Sequence, residues 1–163
     1  MNRSNPPKLR VPFLAVIVAV VLQQAAAFVW YAFLFGDAWV AAHGFDVDYR
    51  AAHEGAVTAP LAMVIGNAAG AILLAFILQL ARCPFGLGTI PRGIAWAFLL
   101  WLCVVLPIEA TRNLFALRDP AIILIDAGQS LVAWLIAGIA IGWALDRRDR
   151  RNARDRNMKE QTR

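Results

Sequence analysis

Four long apolar runs, separated by short polar pieces, constrain this chain more than any other feature. They cover residues 11–35, 59–81, 93–110 and 121–145. At about 1.5 Å per residue, helices of this length match a hydrocarbon layer roughly 30 Å thick. Hydrophobic residues make up 60% of the 163 positions, whereas a soluble domain holds about 45–50%. The excess lies in the runs, so a single core buried in water does not account for it. The pattern predicts an all-α fold: a polytopic membrane protein with four transmembrane helices in an antiparallel bundle. The domain spans 11–145, between a leader at 1–10 and a basic tail at 146–163.

The ends of the runs carry the signals expected at a membrane surface. The first run closes on Phe28, Trp30, Tyr31, Phe33 and Phe35, with Trp39 just beyond, and aromatic residues favour the membrane–water interface. The basic leader, the apolar run and Gln24-Ala25-Ala26-Ala27 also fit a cleavable signal peptide. The run continues past that point into the aromatic belt, so a retained anchor is expected. Within the 36–58 loop, Trp39, Val40 and Phe45 predict a short interfacial helix broken at Gly44. Pro107 predicts a kink near 103–107, and Asp119 followed by Pro120 predicts a capped start for the fourth helix. Cys103, inside an apolar run, is expected to be a small buried side chain.

Charge sets the expected orientation. Net charge is +5, and thirteen of the sixteen Lys and Arg fall in the leader, the 82–92 turn and the tail. The other three are Arg50 in the 36–58 loop and Arg112 and Arg118 in the third connection. The positive-inside rule puts the richer side, with both termini, in the cytoplasm of a bacterial inner (plasma) membrane. The basic tail, from Asp146 onward, should favour anionic lipid head groups, but the four acids interspersed there weaken that pull, and a topology anchor is expected. It carries no aromatic interleaving or nucleic-acid motif, so no nucleic-acid partner is expected.

Helices in lipid associate through small residues and polar bonds. Ala62, Gly66 and Gly70 form one such stripe, Ala133 and Ala137 another, and Gly138 and Gly142 a third. The same stripes suit a neighbouring helix of this chain or a second copy in a homo-oligomer. Gln23 and Asn67 are expected to supply interhelical hydrogen bonds. Asp126 lies about six residues into the fourth run, with Ser130 one turn further on its face. The short third connection brings Glu109, Arg112 and Asn113 to a similar depth. Arg112 is expected to pair with Glu109 or Asp126 and lock two helices; the sharper reading is a proton or ion site. His43 and His53 sit in an acidic loop with Asp46, Asp48 and Glu54, but the spacing fits no metal template. No catalytic or cofactor-binding motif occurs, so no metal or cofactor is expected.

Several short motifs occur in a characteristic order. Trp30-Tyr31 and Leu34-Phe35-Gly36 with Trp39 come first, then Gly66-Asn67. LPIEATRNLF and Leu124-Ile125-Asp126-Ala127-Gly128 follow, with Gly138 and Gly142 after them. In this order the chain resembles the small bacterial membrane family known as domain of unknown function 1761, over roughly 12–145. The resemblance implies a four-helix integral membrane domain and carries no reaction or substrate. Gln129-Ser130 departs from the aromatic or His residue expected after Asp-Ala-Gly, so no role needing a ring is carried over there. The sequence thus points to a non-enzymatic helix-packing or accessory component. The alternative is a small transporter or channel subunit with a polar path near Asp126, Glu109 and Arg112.

Overall fold

The computed structural model describes residues 10–45, 57–81 and 88–161, and these are helical with short connections. Helix α1 covers Phe13–Val29 and continues through a π-helical turn at Trp30–Leu34. A short helix α2, Gly36–His43, follows, and α3 covers Thr58–Leu80. Helix α4, Thr89–Leu100, runs through a second π turn at Trp101–Val105 into α5, Leu106–Phe115. Helix α6, Pro120–Gln161, is the longest. Four of these rods are long and apolar enough to cross a membrane. Only 11–39% of each apolar window is buried within the chain, so most of the apolar surface faces outward. In water that surface would be a large uncovered patch; in lipid it is the solvated face.

Helix α6 is the axis, touching α1, α2, α3, α4 and α5. Its pairings with α1 proceed in opposite chain senses. Arg148 meets Arg10, Ala133 meets Gln23, and Ile125 meets Trp30. The same holds for α4, where Gly142 lies against Thr89 and Ile90 and Gly138 against Gly93. The apolar core occupies the end of the bundle nearer the termini. Val16 and Ala19 of α1 meet Ala71, Leu74, Ala75 and Leu78 of α3, Ala97 of α4, and Ala137, Ile141 and Leu145 of α6.

The stripes divide into two kinds. Ala133, Ala137, Gly138 and Gly142 are all buried on α6. A Cβ on Gly93 would collide with the Gly138 carbonyl, and one on Gly138 would come within 2.6 Å of the Gly93 oxygen. The backbones of α4 and α6 therefore meet directly, as small residues permit in lipid. On α3, Gly70 rests on the Trp134 ring, whereas Ala62 and Gly66 are exposed and Gly66 has open space within 4 Å. The buried face of α3 is instead Ala71, Leu74, Ala75 and Leu78.

Several expectations are revised. The third rod begins at Thr89 and runs to Phe115 rather than spanning 93–110. Pro91 falls in its first turn, where a missing N–H is harmless. The irregularity predicted at Pro107 takes the form of the Trp101–Val105 π turn, with the Leu106 N–H reaching the Trp101 carbonyl. Cys103 lies on the exposed side of that turn instead of being buried. The tail continues α6 as helix to Gln161, and Arg150 pairs with Asp146 one turn back at 2.9 Å. The Asp119 cap forms, its Oδ1 accepting from the Ala121 N–H at 2.8 Å. Just before it, Leu117 takes a left-handed φ of 52° in the tight α5–α6 connection. The leader at 1–9, the loop residues Asp46, Asp48, Arg50, His53 and Glu54, and the turn residues Arg82 and Cys83 lie outside the described residues.

Three outcomes follow for thermal unfolding in detergent. Gly138→Val should lower the melting temperature by the equivalent of about 1–3 kcal/mol, the usual cost of overpacking. Gly66→Ala should leave it unchanged or slightly raised, because the added methyl meets nothing. Leu117→Gly should stabilise by roughly 1 kcal/mol by relieving the left-handed backbone.

Candidate functional site

Away from the apolar core, the end of the bundle near residue 126 is built from polar atoms on aromatic rings. Asp126 projects from the second turn of α6 and is half-buried. Its Oδ1 accepts from the Tyr31 hydroxyl at 2.8 Å and from the Trp39 Nε1–H at 3.0 Å. Tyr31 belongs to the first π turn and Trp39 to α2, so one carboxylate oxygen ties two elements to α6. The two rings also meet edge to face, 5.7 Å between centroids. His43 lies over Trp39 at 4.1 Å, and its Nδ1 bonds the Trp39 carbonyl at 2.9 Å.

Two further indoles reach the α6 backbone. Trp30 Nε1–H donates to the Ile125 carbonyl at 3.1 Å, and Trp101 Nε1–H to the Ala127 carbonyl at 3.0 Å. Each of these tryptophans opens one of the two π turns. A π turn widens the helix locally and re-aims its side chains, and such turns recur at functional sites. Here both turns aim a tryptophan at neighbouring carbonyls of the same helix. Glycines make room for this arrangement. A Cβ on Gly128 would lie 2.9 Å from Trp30 Cζ2, and one on Gly36 would collide with the Tyr31 carbonyl.

The second carboxylate joins through Ser130. Trp101 Nε1–H also lies 3.2 Å from Ser130 Oγ, and that hydroxyl is 3.3 Å from Glu109 Oε2 and 3.1 Å from the Ala127 carbonyl. With a single proton, the hydroxyl donates to one of these oxygens at a time. Asn113 is fully buried, its Nδ2 donating to the Glu109 carbonyl at 3.0 Å. Its Oδ1 accepts from Arg118 at 3.4 Å.

Of the residues singled out from sequence, Asp126, Ser130 and Glu109 come together here. The expected ion pair through Arg112 does not form: among the described residues no cation lies within 4.0 Å of Glu109 or Asp126. Arg112 is exposed, and neutral donors occupy Asp126 in its place. Asn67 is half-buried on α3, and among the described residues its Nδ2 has no partner and no bond to the cluster. Gln23 is almost fully buried and bonds across to the Ala133 carbonyl at 2.8 Å. Sequence reasoning assigned Trp39 to the bilayer surface, whereas it turns inward to Asp126. It also passed over Tyr31 and the indoles as partners of α6. The missed signal is the polar tip of each ring, which needs an acceptor wherever it is shielded from water.

A thermodynamic cycle on Tyr31 and Asp126 checks the central contact. Asp126→Leu leaves two donors without an acceptor, and each orphaned donor should destabilise by about 1–3 kcal/mol. Tyr31→Phe alone should have a smaller effect. The double variant should be less destabilised than the two single effects added together, since Tyr31→Phe removes one orphan that Asp126→Leu creates. Strict additivity in detergent unfolding would show that the two side chains are not coupled.

No curated protein and no solved structure matches the chain. A family model described as "Protein of unknown function (DUF1761)" matches residues 14–142, a stretch holding every residue of the aromatic–carboxylate cluster. The chain belongs to that family.

Proposed function

We propose that this integral membrane protein is a non-enzymatic helix-packing component of a bacterial inner membrane, scaffolding or assisting another membrane component. One observation carries the reading: Asp126 is used inside the bundle, where Tyr31 and Trp39 share one of its oxygens. A charge at this depth costs a few kcal/mol unless it is bonded. In return, the contact fixes the first π turn and α2 against α6. The direct backbone approach at Gly93 and Gly138 serves the same end. Both termini are placed in the cytoplasm. Arg10 and Arg148 meet at one end of the bundle, and Arg92 donates to the Leu78 carbonyl nearby. These three arginines lie at the end away from Asp126 and Glu109; at the carboxylate end the described basic residues are Arg112 and Arg118, and this imbalance supports the orientation under the positive-inside rule.

A second reading rests on a different fact. Asp126 and Glu109 lie at the same end of the bundle, Glu109 against Ser130 one turn beyond Asp126 on α6, and among the described residues neither has a cation within 4.0 Å. A small transporter or channel subunit for protons or monovalent cations would use such carboxylates. The exposed Ala62 and Gly66 would then suit contact with a second copy.

Asp126→Asn separates the two. If the residue serves packing, the variant melts at a lower temperature, and proton and sodium flux in proteoliposomes is the same as for wild type. If the residue serves transport, a wild-type flux disappears while folded yield and melting temperature are retained. An Asp126→Leu variant indistinguishable from wild type in both measurements sinks both readings. Cytoplasmic reporters fused at each end should both be active; activity at one end alone contradicts the orientation.

A further inference from the structure

Helix α6 does not stop where its apolar run stops. Residues 146–161 continue it without interruption, a projection of about 24 Å. Four of the arginines on this projection share one face. Arg147, Arg150, Arg151 and Arg154 follow the i, i+3, i+4, i+7 spacing that places residues on one side of a helix. Trp143 lies one turn before Arg147 on the same side, with Ile139 a turn earlier, and both are exposed. Asp149 and Glu160 fall on the opposite side together with Arg156 and Lys159, and Asp146 and Asp155 lie at the edges of the stripe.

Two contacts fix the direction in which this stripe points. Arg148, about 100° around the helix from Arg147, turns back to the bundle. Its Nη1 donates to the Arg10 carbonyl and its Nη2 to Gln79 Oε1, each at 3.2 Å. The Arg147 guanidinium lies 3.8 Å from the centre of the Trp143 ring. With Arg148 holding α6 in rotation, the four-arginine stripe is turned away from the bundle and continues its outward apolar surface. Arg150 is shared with Asp146, whereas Arg151 and Arg154 have no ion pair among the described residues.

We propose that this face binds the phosphate groups of anionic phospholipids in the leaflet that Trp143 reaches. Tryptophan settles at the boundary between hydrocarbon and head groups. Arg147 is about 6 Å beyond it along the helix, and Arg150 and Arg151 about 10–12 Å. The head-group layer is about 5–8 Å thick on each side, and long arginine stems reach back into it. Guanidinium matches phosphate through paired N–H donors. An acidic protein would match the arginines too, but it would not match Trp143 and Ile139 in the same stripe. That order, apolar then basic, is the profile of a lipid surface. The proposal does not depend on what Asp126 does.

The test uses the full chain in detergent micelles, with native mass spectrometry counting phosphatidylglycerol and phosphatidylcholine retained at equal supply. Wild type should retain phosphatidylglycerol preferentially. Arg147→Gln with Arg151→Gln should weaken that preference on the order of twentyfold, about fivefold for each arginine removed near the surface. Arg156→Gln with Lys159→Gln removes the same charge from elsewhere on the helix and should leave the preference within about twofold. An unchanged melting temperature in both variants shows that the fold is intact. Equal losses in the two variants, or no preference in wild type, overturn the proposal.

Discussion

Hydrocarbon offers no hydrogen bonds, and the architecture of this bundle depends on that constraint. A donor or acceptor in a spanning helix that finds no partner within the protein is costly. Asp126 is the sharpest case, a carboxylate whose Oδ1 is met by a phenol and an indole. The indoles of Trp30 and Trp101 bring the same requirement to the α6 backbone and satisfy it at the Ile125 and Ala127 carbonyls. Carbonyl oxygens have two lone pairs, so each can accept a second donor in addition to its place in the helix ladder. The result is a helix held at one end by aromatic donors from three separate elements.

The other end is held by a different means. Where Gly93 of α4 crosses Gly138 of α6 no side chain intervenes, and backbone meets backbone. Dispersion between closely packed surfaces supplies the attraction there, because burial from lipid supplies little. Large apolar side chains fill the remaining space at Leu74, Leu78 and Ile141. Arg148 closes this end by joining α6 to the start of α1 and the end of α3. The molecule therefore has a polar, aromatic end and an apolar, close-packed end, both organised on α6.

The motifs on which the family resemblance rests gain a physical meaning from this arrangement. Trp30-Tyr31, Gly36, Trp39, Glu109 and the Asp126-Ala127-Gly128 stretch are scattered over about a hundred residues and meet in one cluster. Gly128 admits the Trp30 ring, and Gly36 lets α2 turn back so that Trp39 can reach Asp126. Gly138 and Gly142 lie at the other end, against α4, and Gly66-Asn67 stands apart: Gly66 faces open space, and the Asn67 amide nitrogen has no partner among the described residues.

The number of spans, their approximate positions and the segregation of positive charge could be read from the sequence. Hydropathy, helix length and Lys/Arg placement are local properties that need no knowledge of neighbours. That Asp126 and Glu109 share one end of the bundle was legible too, because a short connection fixes the pairing of α5 with α6. Only the tertiary structure decided which partner each polar atom took. Arg112 is close to Glu109 in sequence yet points outward, while Tyr31 and Trp39, some ninety positions from Asp126, take its carboxylate. The reason is rotational. A π turn changes the angle at which side chains leave a helix, and residue spacing along an ideal helix does not reveal it. The same holds for the stripes: spacing marked Gly66 and Gly138 alike, and only the packing of α6 determined that Gly138 is buried and Gly66 is not.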